Sequence, residues 1–166
     1  MLDQKTIREF INELGSNSPA PGGGSVAALV ASLASGLSTM VFNLTIGKKV
    51  YYEYSDEEKI LIAKTLNACA EYQSEFLELM NKDKEAFLIL MSAFKLPKKS
   101  DDDKKVRNAK IKEGYLGALE VPLIVAQEAY KIYEYAMVAA KLGNKNAISD
   151  ADRKSTRLNS SHKTHL

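Results

Sequence analysis

A glycine turn before a long uncharged segment is the first stretch of this chain that could do chemistry. Gly22–Gly24 follow two prolines and precede Ser25. At a helix start, such residues expose unpaired backbone N–H groups beside the positive end of the helix dipole, which suits a carboxylate or phosphate. Without a GxxxxGK(S/T) pattern or a preceding strand, neither a P-loop nor a dinucleotide site is predicted. The alternative is that the glycines only permit close packing.

Proton transfer would have to rely on carboxylates, lysines or tyrosines. Both histidines, His162 and His165, lie in the C-terminal segment that is set aside below as a non-native tail. Asp83 lies beside the apolar stripe of a predicted helix and is the first candidate for a buried acid. A solvated surface carboxylate is the alternative. Lys48 and Lys49 follow the uncharged segment, where they either complement the negative end of a helix dipole or hold an anionic substrate tail.

The uncharged segment must position these groups. From Gly22 to Gly47 it contains no Asp, Glu, Lys, Arg or His. A helix without a charged face is covered by protein or lipid on every side. Its length would suffice to cross a bilayer, so a single-span membrane protein is one alternative. The interspersed Ser, Thr and Asn residues and the charged, amphipathic sequence downstream favour a central, fully buried helix of an all-α domain instead.

Amphipathic spacing predicts three further helices. They cover approximately residues 4–14, 56–96 and 103–142. Asp3 is predicted to cap the first, and Ser55 with Glu58 to form a capping box for the second. The sequence therefore predicts an all-α, multihelical bundle in which a central apolar helix is surrounded by the others.

The end of the chain loses this periodicity. Asp152 to His162, DRKSTRLNSSH, resembles the translation of a sequencing-library adapter. We therefore expect residues 1–151 to form a helical domain whose C-terminal part is missing, and residues 152–166 to be a non-native tail. Without residues 151–166, which carry four basic and one acidic side chain, the formal net charge changes from +2 to −1. No nucleic-acid partner is expected for such a balance.

Cys69 is the one cysteine and falls in an apolar pattern, which predicts a small buried core residue. A single cysteine excludes an internal disulfide, and the lack of a histidine before residue 162 excludes a Cys/His zinc site. No signal peptide is apparent before the first predicted helix. Together these features favour a cytoplasmic protein.

Several motifs together resemble the cyclodeaminase/cyclohydrolase family. This family comprises the stand-alone methenyltetrahydrofolate cyclohydrolases and the cyclodeaminase half of formiminotransferase-cyclodeaminase. Residues 18–49, with the glycine turn, are similar to the family's N-terminal signature. DKEAF at 83–87 and NKNAISD at 144–150 follow in the family's order. The resemblance covers residues 3–151.

The resemblance implies an all-α homodimer that acts on a folate. A cyclohydrolase adds water to the methenyl carbon of 5,10-methenyltetrahydrofolate and opens the ring to 10-formyltetrahydrofolate. In a cyclodeaminase, N10 attacks a formimino carbon and ammonia leaves. Because this sequence shows no formiminotransferase domain, methenyltetrahydrofolate cyclohydrolase is the main prediction and formiminotetrahydrofolate cyclodeaminase the alternative. A non-enzymatic helical binding protein is a further alternative.

The resemblance also implies the site residues. Asp83 and Asp150 are predicted as the acid/base and cation-stabilising pair, because a carboxylate suits a methenyl cation both as counter-charge and as base for the attacking water. The predicted substrate-binding residues are Gly22, Gly23, Gly24, Ser25, Lys48 and Lys49. The turn would receive pterin or carboxylate groups, and the lysines the glutamyl tail. No metal ion or redox cofactor is expected for this hydrolytic chemistry.

Overall fold

In a computed structural model of the chain, residues 1–145 are described and form five α-helices, with no β-strand in that range. A 3-10 turn at Leu2–Gln4 precedes α1 (Ile7–Leu14), α2 (Gly23–Asn43), α3 (Lys49–Tyr52), α4 (Asp56–Phe94) and α5 (Asp101–Leu142). The all-α prediction is confirmed. The short helix α3 was not predicted.

The start of α1 is set by a capping box at Thr6, so the predicted cap at Asp3 is wrong. The backbone N–H of Glu9 donates to Thr6 Oγ1, and the N–H of Thr6 donates to Glu9 Oε2. Asp3 is not the cap: the helix begins after Thr6, and Asp3 Oδ1 accepts a hydrogen bond from Asn81 instead of from a backbone N–H of α1. Asp3 lies instead in the 3-10 turn.

Capping boxes also mark the starts of α4 and α5. Ser55 and Glu58 exchange the predicted pair of hydrogen bonds at the start of α4. Ser100 and Asp103 make an equivalent pair at the start of α5. Because Ser100 takes the capping position, α5 begins at Asp101, two residues before its predicted start.

The chain divides into two compact units. The first contains Met1–Ala31 and Glu75–Glu128, and the second contains Ser32–Ser74 and the described residues from Ala129 onward. The helices α2, α4 and α5 each contribute residues to both units.

In the first unit, Asn81 of α4 fastens the N-terminal turn. Its Oδ1 accepts a hydrogen bond from the backbone N–H of Leu2. Its Nδ2 donates to Asp3 Oδ1 at 2.6 Å and to the Leu77 carbonyl at 3.1 Å. Leu2 and Asn81 are both buried. The buried amide is therefore fully engaged, as such groups must be to offset the loss of water.

The helices α4 and α5 approach closely at Gly114, also in the first unit. A Cβ at this position would lie 3.0 Å from Leu90 Cα, whereas at Gly117 nothing lies within 4 Å. We expect Gly114→Ala to lower the free energy of unfolding by about 1–2 kcal/mol through crowding. Gly117→Ala should raise it by up to about 1 kcal/mol, because alanine has the higher helix propensity. Urea unfolding measures both, and equal effects would contradict the crowding.

The second unit has its own apolar core. The fully buried members of this core are Val41, Phe42, Ile62, Cys69 and Ala139. Polar contacts join the end of α5 to distant parts of the chain within this unit. The Tyr54 hydroxyl donates to the Leu142 carbonyl at 2.9 Å, and the Asn144 N–H donates to Thr45 Oγ1 at 2.8 Å. These bonds fasten the end of α5 beside the turn that follows α2.

The predicted burial of Cys69 is confirmed, and burial raises the pKa of its thiol to about 11. The thiolate is the reactive form, so a thiol-specific reagent at pH 8 should label the folded protein hardly at all and the urea-unfolded protein completely. Because a free thiol titrates near about 8.5, the contribution of this group to stability is full below that pH and is lost as the pH rises to about 11. Cys69→Ala should remove that part of the pH dependence. Rapid labelling of the folded protein at pH 8 would contradict the first prediction, and an unchanged pH dependence of stability in Cys69→Ala would contradict the second.

The helix α2 is not buried on all sides by the described part of its own chain, in contrast to the predicted full burial. The most apolar 18-residue window of this helix is 39% buried, and Val30 and Leu33 are 57% and 55% exposed. By length and composition alone, α2 is also the one helix among residues 1–145 that could cross a membrane. Val30, in the first unit, and Leu33, in the second, therefore leave an open face on α2 within their own units.

Candidate active site

The candidate site lies in the first unit, where the start of α2 meets Asp83 of α4. Ser25 Oγ donates a hydrogen bond to Asp83 Oδ2 at 2.7 Å, between residues 58 positions apart. Ser25 is 0% exposed, whereas Asp83 is partly exposed. The carboxylate is thus held from the buried side and still reaches solvent, as a group that acts on a small molecule must.

Gly24 allows this carboxylate to lie directly against α2. A Cβ on Gly24 would fall within contact distance of Asp83 Oδ1 and only 2.6 Å from its Cγ. At Gly22 and Gly23, a Cβ would meet nothing within 4 Å. The Asp83 carboxylate therefore requires a glycine at position 24 only, because side chains at positions 22 and 23 would extend into open space.

The negative charge of Asp83 stands where a helix start favours it. The first turn of a helix carries a partial positive charge, and the first turn of α2 contains no acidic residue of its own. The sequence predicts an anion at this place that would come from the substrate. In the structure, the chain supplies the anion from α4. The glycine turn and Asp83 thus form one site instead of two.

Lys84, the neighbour of Asp83, pairs with a different carboxylate. Its Nζ lies 3.0 Å from Glu13 Oε1, and Lys5 Nζ lies 2.9 Å from Glu13 Oε2. The hydrogen bonds from Lys5 and Lys84 hold the pKa of the Glu13 carboxyl below its ordinary value. Among the described residues, Asp83 makes no salt bridge and its Oδ1 accepts no hydrogen bond.

Glu13 and Lys84 were not predicted from the sequence. Lys84 could have been noticed because it follows Asp83 in the DKEAF motif. Glu13 carries no local signal, since its partner lies 71 positions away.

The two lysines predicted to bind substrate lie in the second unit. The helix α2 ends at Asn43, and a turn containing Gly47 at φ 76° separates it from Lys48 and Lys49, which are exposed at the start of α3. Their predicted place in the last turn of α2 is therefore wrong, and their role in holding a substrate stays a prediction. Asp150 lies outside the described residues. Within residues 1–145, no three His, Cys, Asp or Glu side chains form a group that could hold a metal ion.

A cavity of about 310 Å³ opens in the first unit beside α1. Its wall is mostly apolar, and Asp3 and Lys5 are its charged members. Met80, one helical turn before Asp83 on α4, and Val26, directly after Ser25 on α2, both line it. Such a cavity can take the apolar or aromatic part of a ligand.

The fold and the site define an all-α protein with a carboxylate held at the start of an apolar helix. The family described as formiminotransferase-cyclodeaminase matches residues 6–163. The chain belongs to this family.

Named relatives agree with that assignment. A methenyltetrahydrofolate cyclohydrolase from Methylorubrum extorquens is 37% identical over 91% of this chain and 71% of its own length. The formimidoyltransferase-cyclodeaminase of Rattus norvegicus is 34% identical over 87% of this chain, which corresponds to 26% of the rat protein. The crystal structure of formiminotetrahydrofolate cyclodeaminase from Thermotoga maritima is similar with a TM-score of 0.76 and 27% identity, over 91% of this chain and 69% of that one.

Proposed function

We propose that the chain hydrolyses 5,10-methenyltetrahydrofolate to 10-formyltetrahydrofolate. The observation that carries the proposal is the partly exposed carboxylate of Asp83, whose Oδ2 is held by Ser25 while its Oδ1 accepts no hydrogen bond from residues 1–145. The similarity to a methenyltetrahydrofolate cyclohydrolase over most of the chain supports the choice of substrate.

The chemistry needs an anion beside a cation. The methenyl carbon of the substrate joins N5 and N10 and shares their positive charge. Asp83 opposes that charge and takes a proton from water as the water oxygen bonds to the carbon. The hydroxyl on this carbon then loses its proton and forms the C=O bond as the bond between the carbon and N5 breaks; N5 retains the electron pair of that bond and accepts a proton, and the formyl group stays on N10. One proton is released to solvent per turnover.

Further parts of the chain are proposed to contact the rest of the substrate or to assist the reaction. The cavity lined by Val26 and Met80 takes an aromatic part of the folate. The roles proposed for Lys48 or Lys49, which would hold the glutamyl tail, and for Asp150, which would be the second acid/base, rest on the resemblance to the family alone. No redox cofactor is proposed, because water addition and ring opening transfer no electrons to a cofactor, and no metal ion is proposed, because the methenyl carbon already carries positive charge without one.

The alternative activity is that of a formiminotetrahydrofolate cyclodeaminase. The names of the rat relative and of the Thermotoga maritima structure favour it. The same carboxylate would then assist the attack of N10 on the formimino carbon and the departure of ammonia.

An absorbance assay tests the proposal. The protein should remove the near-ultraviolet absorbance of 5,10-methenyltetrahydrofolate well above the buffer rate. Ammonia released from formiminotetrahydrofolate, without methenyl hydrolysis, would support the cyclodeaminase instead. Binding of a tetrahydrofolate derivative by calorimetry, with neither reaction, would overturn the enzyme proposal in favour of a binding protein.

We also propose that the protein is a cytoplasmic homodimer in which the second copy covers the open face of α2. Support comes from Val30 and Leu33, which are more than half exposed on a helix without charged residues. Sedimentation in detergent-free buffer should give the mass of a dimer, and Val30→Lys should give a monomer. A requirement for detergent would favour a membrane protein. No nucleic-acid partner is proposed.

A further inference from the structure

We infer that Ser25 is a positioning residue for Asp83 and not a contact of the substrate. The inference rests on the proposed function, in which Asp83 acts on the folate. It replaces the role that the sequence analysis gave to Ser25, namely to receive pterin or carboxylate groups.

The hydrogen bonding of Ser25 supports this role. A serine hydroxyl has one proton to donate, and that of Ser25 goes to Asp83 Oδ2 at 2.7 Å. Ser25 is 0% exposed, so a substrate that reaches the partly exposed Asp83 meets the carboxylate and not the hydroxyl.

Two contacts fix the orientation of the carboxylate. Ser25 engages Oδ2, and Oδ1 and Cγ occupy the space that a Cβ on Gly24 would need. Rotation about the Cβ–Cγ bond of Asp83 would break the first contact. The hydroxyl thus keeps Oδ1 in one position, which matters because catalytic groups must be held close to the productive geometry.

The two roles predict different kinetics. A side chain that orients a catalytic group changes the transition state more than the bound substrate, so its loss lowers kcat and leaves KM nearly unchanged. A side chain that binds the substrate equally in both states shows the reverse pattern. Ser25→Ala separates these patterns.

The kinetic test compares two buried serines of α2. Ser32 is also buried, but its Oγ donates to the backbone carbonyl of Gln73 at 2.7 Å. We expect Ser25→Ala to lower kcat about ten- to a hundredfold and to change KM less than about twofold. Ser32→Ala should leave both within about twofold. If the alanine variant does not fold, Ser25→Cys is used in its place. Cysteine is close to serine in size but is a weak hydrogen-bond donor, so this variant should also lower kcat.

A second measurement does not depend on turnover. In protein labelled with ¹³C at the aspartate carboxyl carbons, the Asp83 signal is identified by its loss in Asp83→Asn. Ser25→Ala or Ser25→Cys should move this signal, and Ser32→Ala should not. If the wild-type protein shows no turnover but the signal moves, the proposed function fails and the contact between Ser25 and Asp83 stands. An unmoved signal, or a raised KM with unchanged kcat, would overturn the inference.

Discussion

Asp83→Asn is expected to lower the turnover number for methenyltetrahydrofolate hydrolysis by at least about a hundredfold, the scale of a lost general base. Asparagine has nearly the same shape, and its side-chain oxygen can still accept the hydrogen bond that Ser25 now donates to Oδ2. It lacks the negative charge and cannot take a proton from water. The variant therefore removes the chemistry and leaves the packing of the site in place.

Glu85→Gln is the matched control for this variant. It removes a carboxylate from an exposed position on the same helix, two residues beyond Asp83. We expect its turnover number to stay within about twofold of the wild-type value. Both variants should unfold at nearly the wild-type urea concentration, because neither loses buried apolar surface. An Asp83→Asn protein that is folded and fully active would remove Asp83 from the mechanism.

The sequence identified both halves of this site but not their contact. The glycine turn was predicted because three glycines and a serine before an apolar segment mark a helix start. Asp83 was predicted because it stands beside an apolar stripe. Nothing local states that these groups meet, since 58 positions separate Ser25 from Asp83 and their contact depends on how α2 packs on α4 within the first unit.

The same distinction explains the caps, whereas the lysines were misplaced for a local reason. The Ser55–Glu58 box was predicted correctly because both of its members lie within one turn. Asp3 was assigned as a cap by residue type, but its Oδ1 accepts a hydrogen bond from Asn81, a residue 78 positions away. Lys48 is predicted at the end of α2, but α2 ends at Asn43, and Gly47 at φ 76° lies in the turn between α2 and α3. Local signals predict helix ends well only where no distant partner competes for the same side chain.

The lack of charge on α2 was informative in a different way. It predicted that every side of the helix needs a cover, and the open face with Val30 and Leu33 shows that one chain does not supply all of it. Periodicity can indicate that a surface must be covered. It cannot indicate whether the cover comes from the same chain, a second copy or lipid.

Gly24→Ala is expected to lower the turnover number nearly as much as Asp83→Asn, by about a hundredfold. The added methyl group would lie against Oδ1 and only 2.6 Å from Cγ of Asp83, so the carboxylate must move away from α2. Its hydrogen bond with Ser25 would then be strained or lost. Oδ1 would no longer occupy the position from which it acts on water, and small displacements of catalytic groups have large effects on rate.

Two other glycines serve as comparisons. Gly117→Ala adds a methyl group to open space on α5, and its turnover number should equal that of the wild-type protein. Gly23→Ala adds one to open space beside the site, so a raised KM in this variant would show that the turn itself contacts the substrate. A wild-type rate in Gly24→Ala would contradict the requirement for a bare Cα.

The double variant Gly24→Ala/Asp83→Asn isolates the reason for the glycine. If Gly24 matters because of the Asp83 carboxylate, that carboxylate is already absent in Asp83→Asn and the second substitution should lower turnover little further. Such non-additivity is expected of residues that act as a unit. Losses that multiply in the double variant would instead show that Gly24 acts on the substrate independently of Asp83.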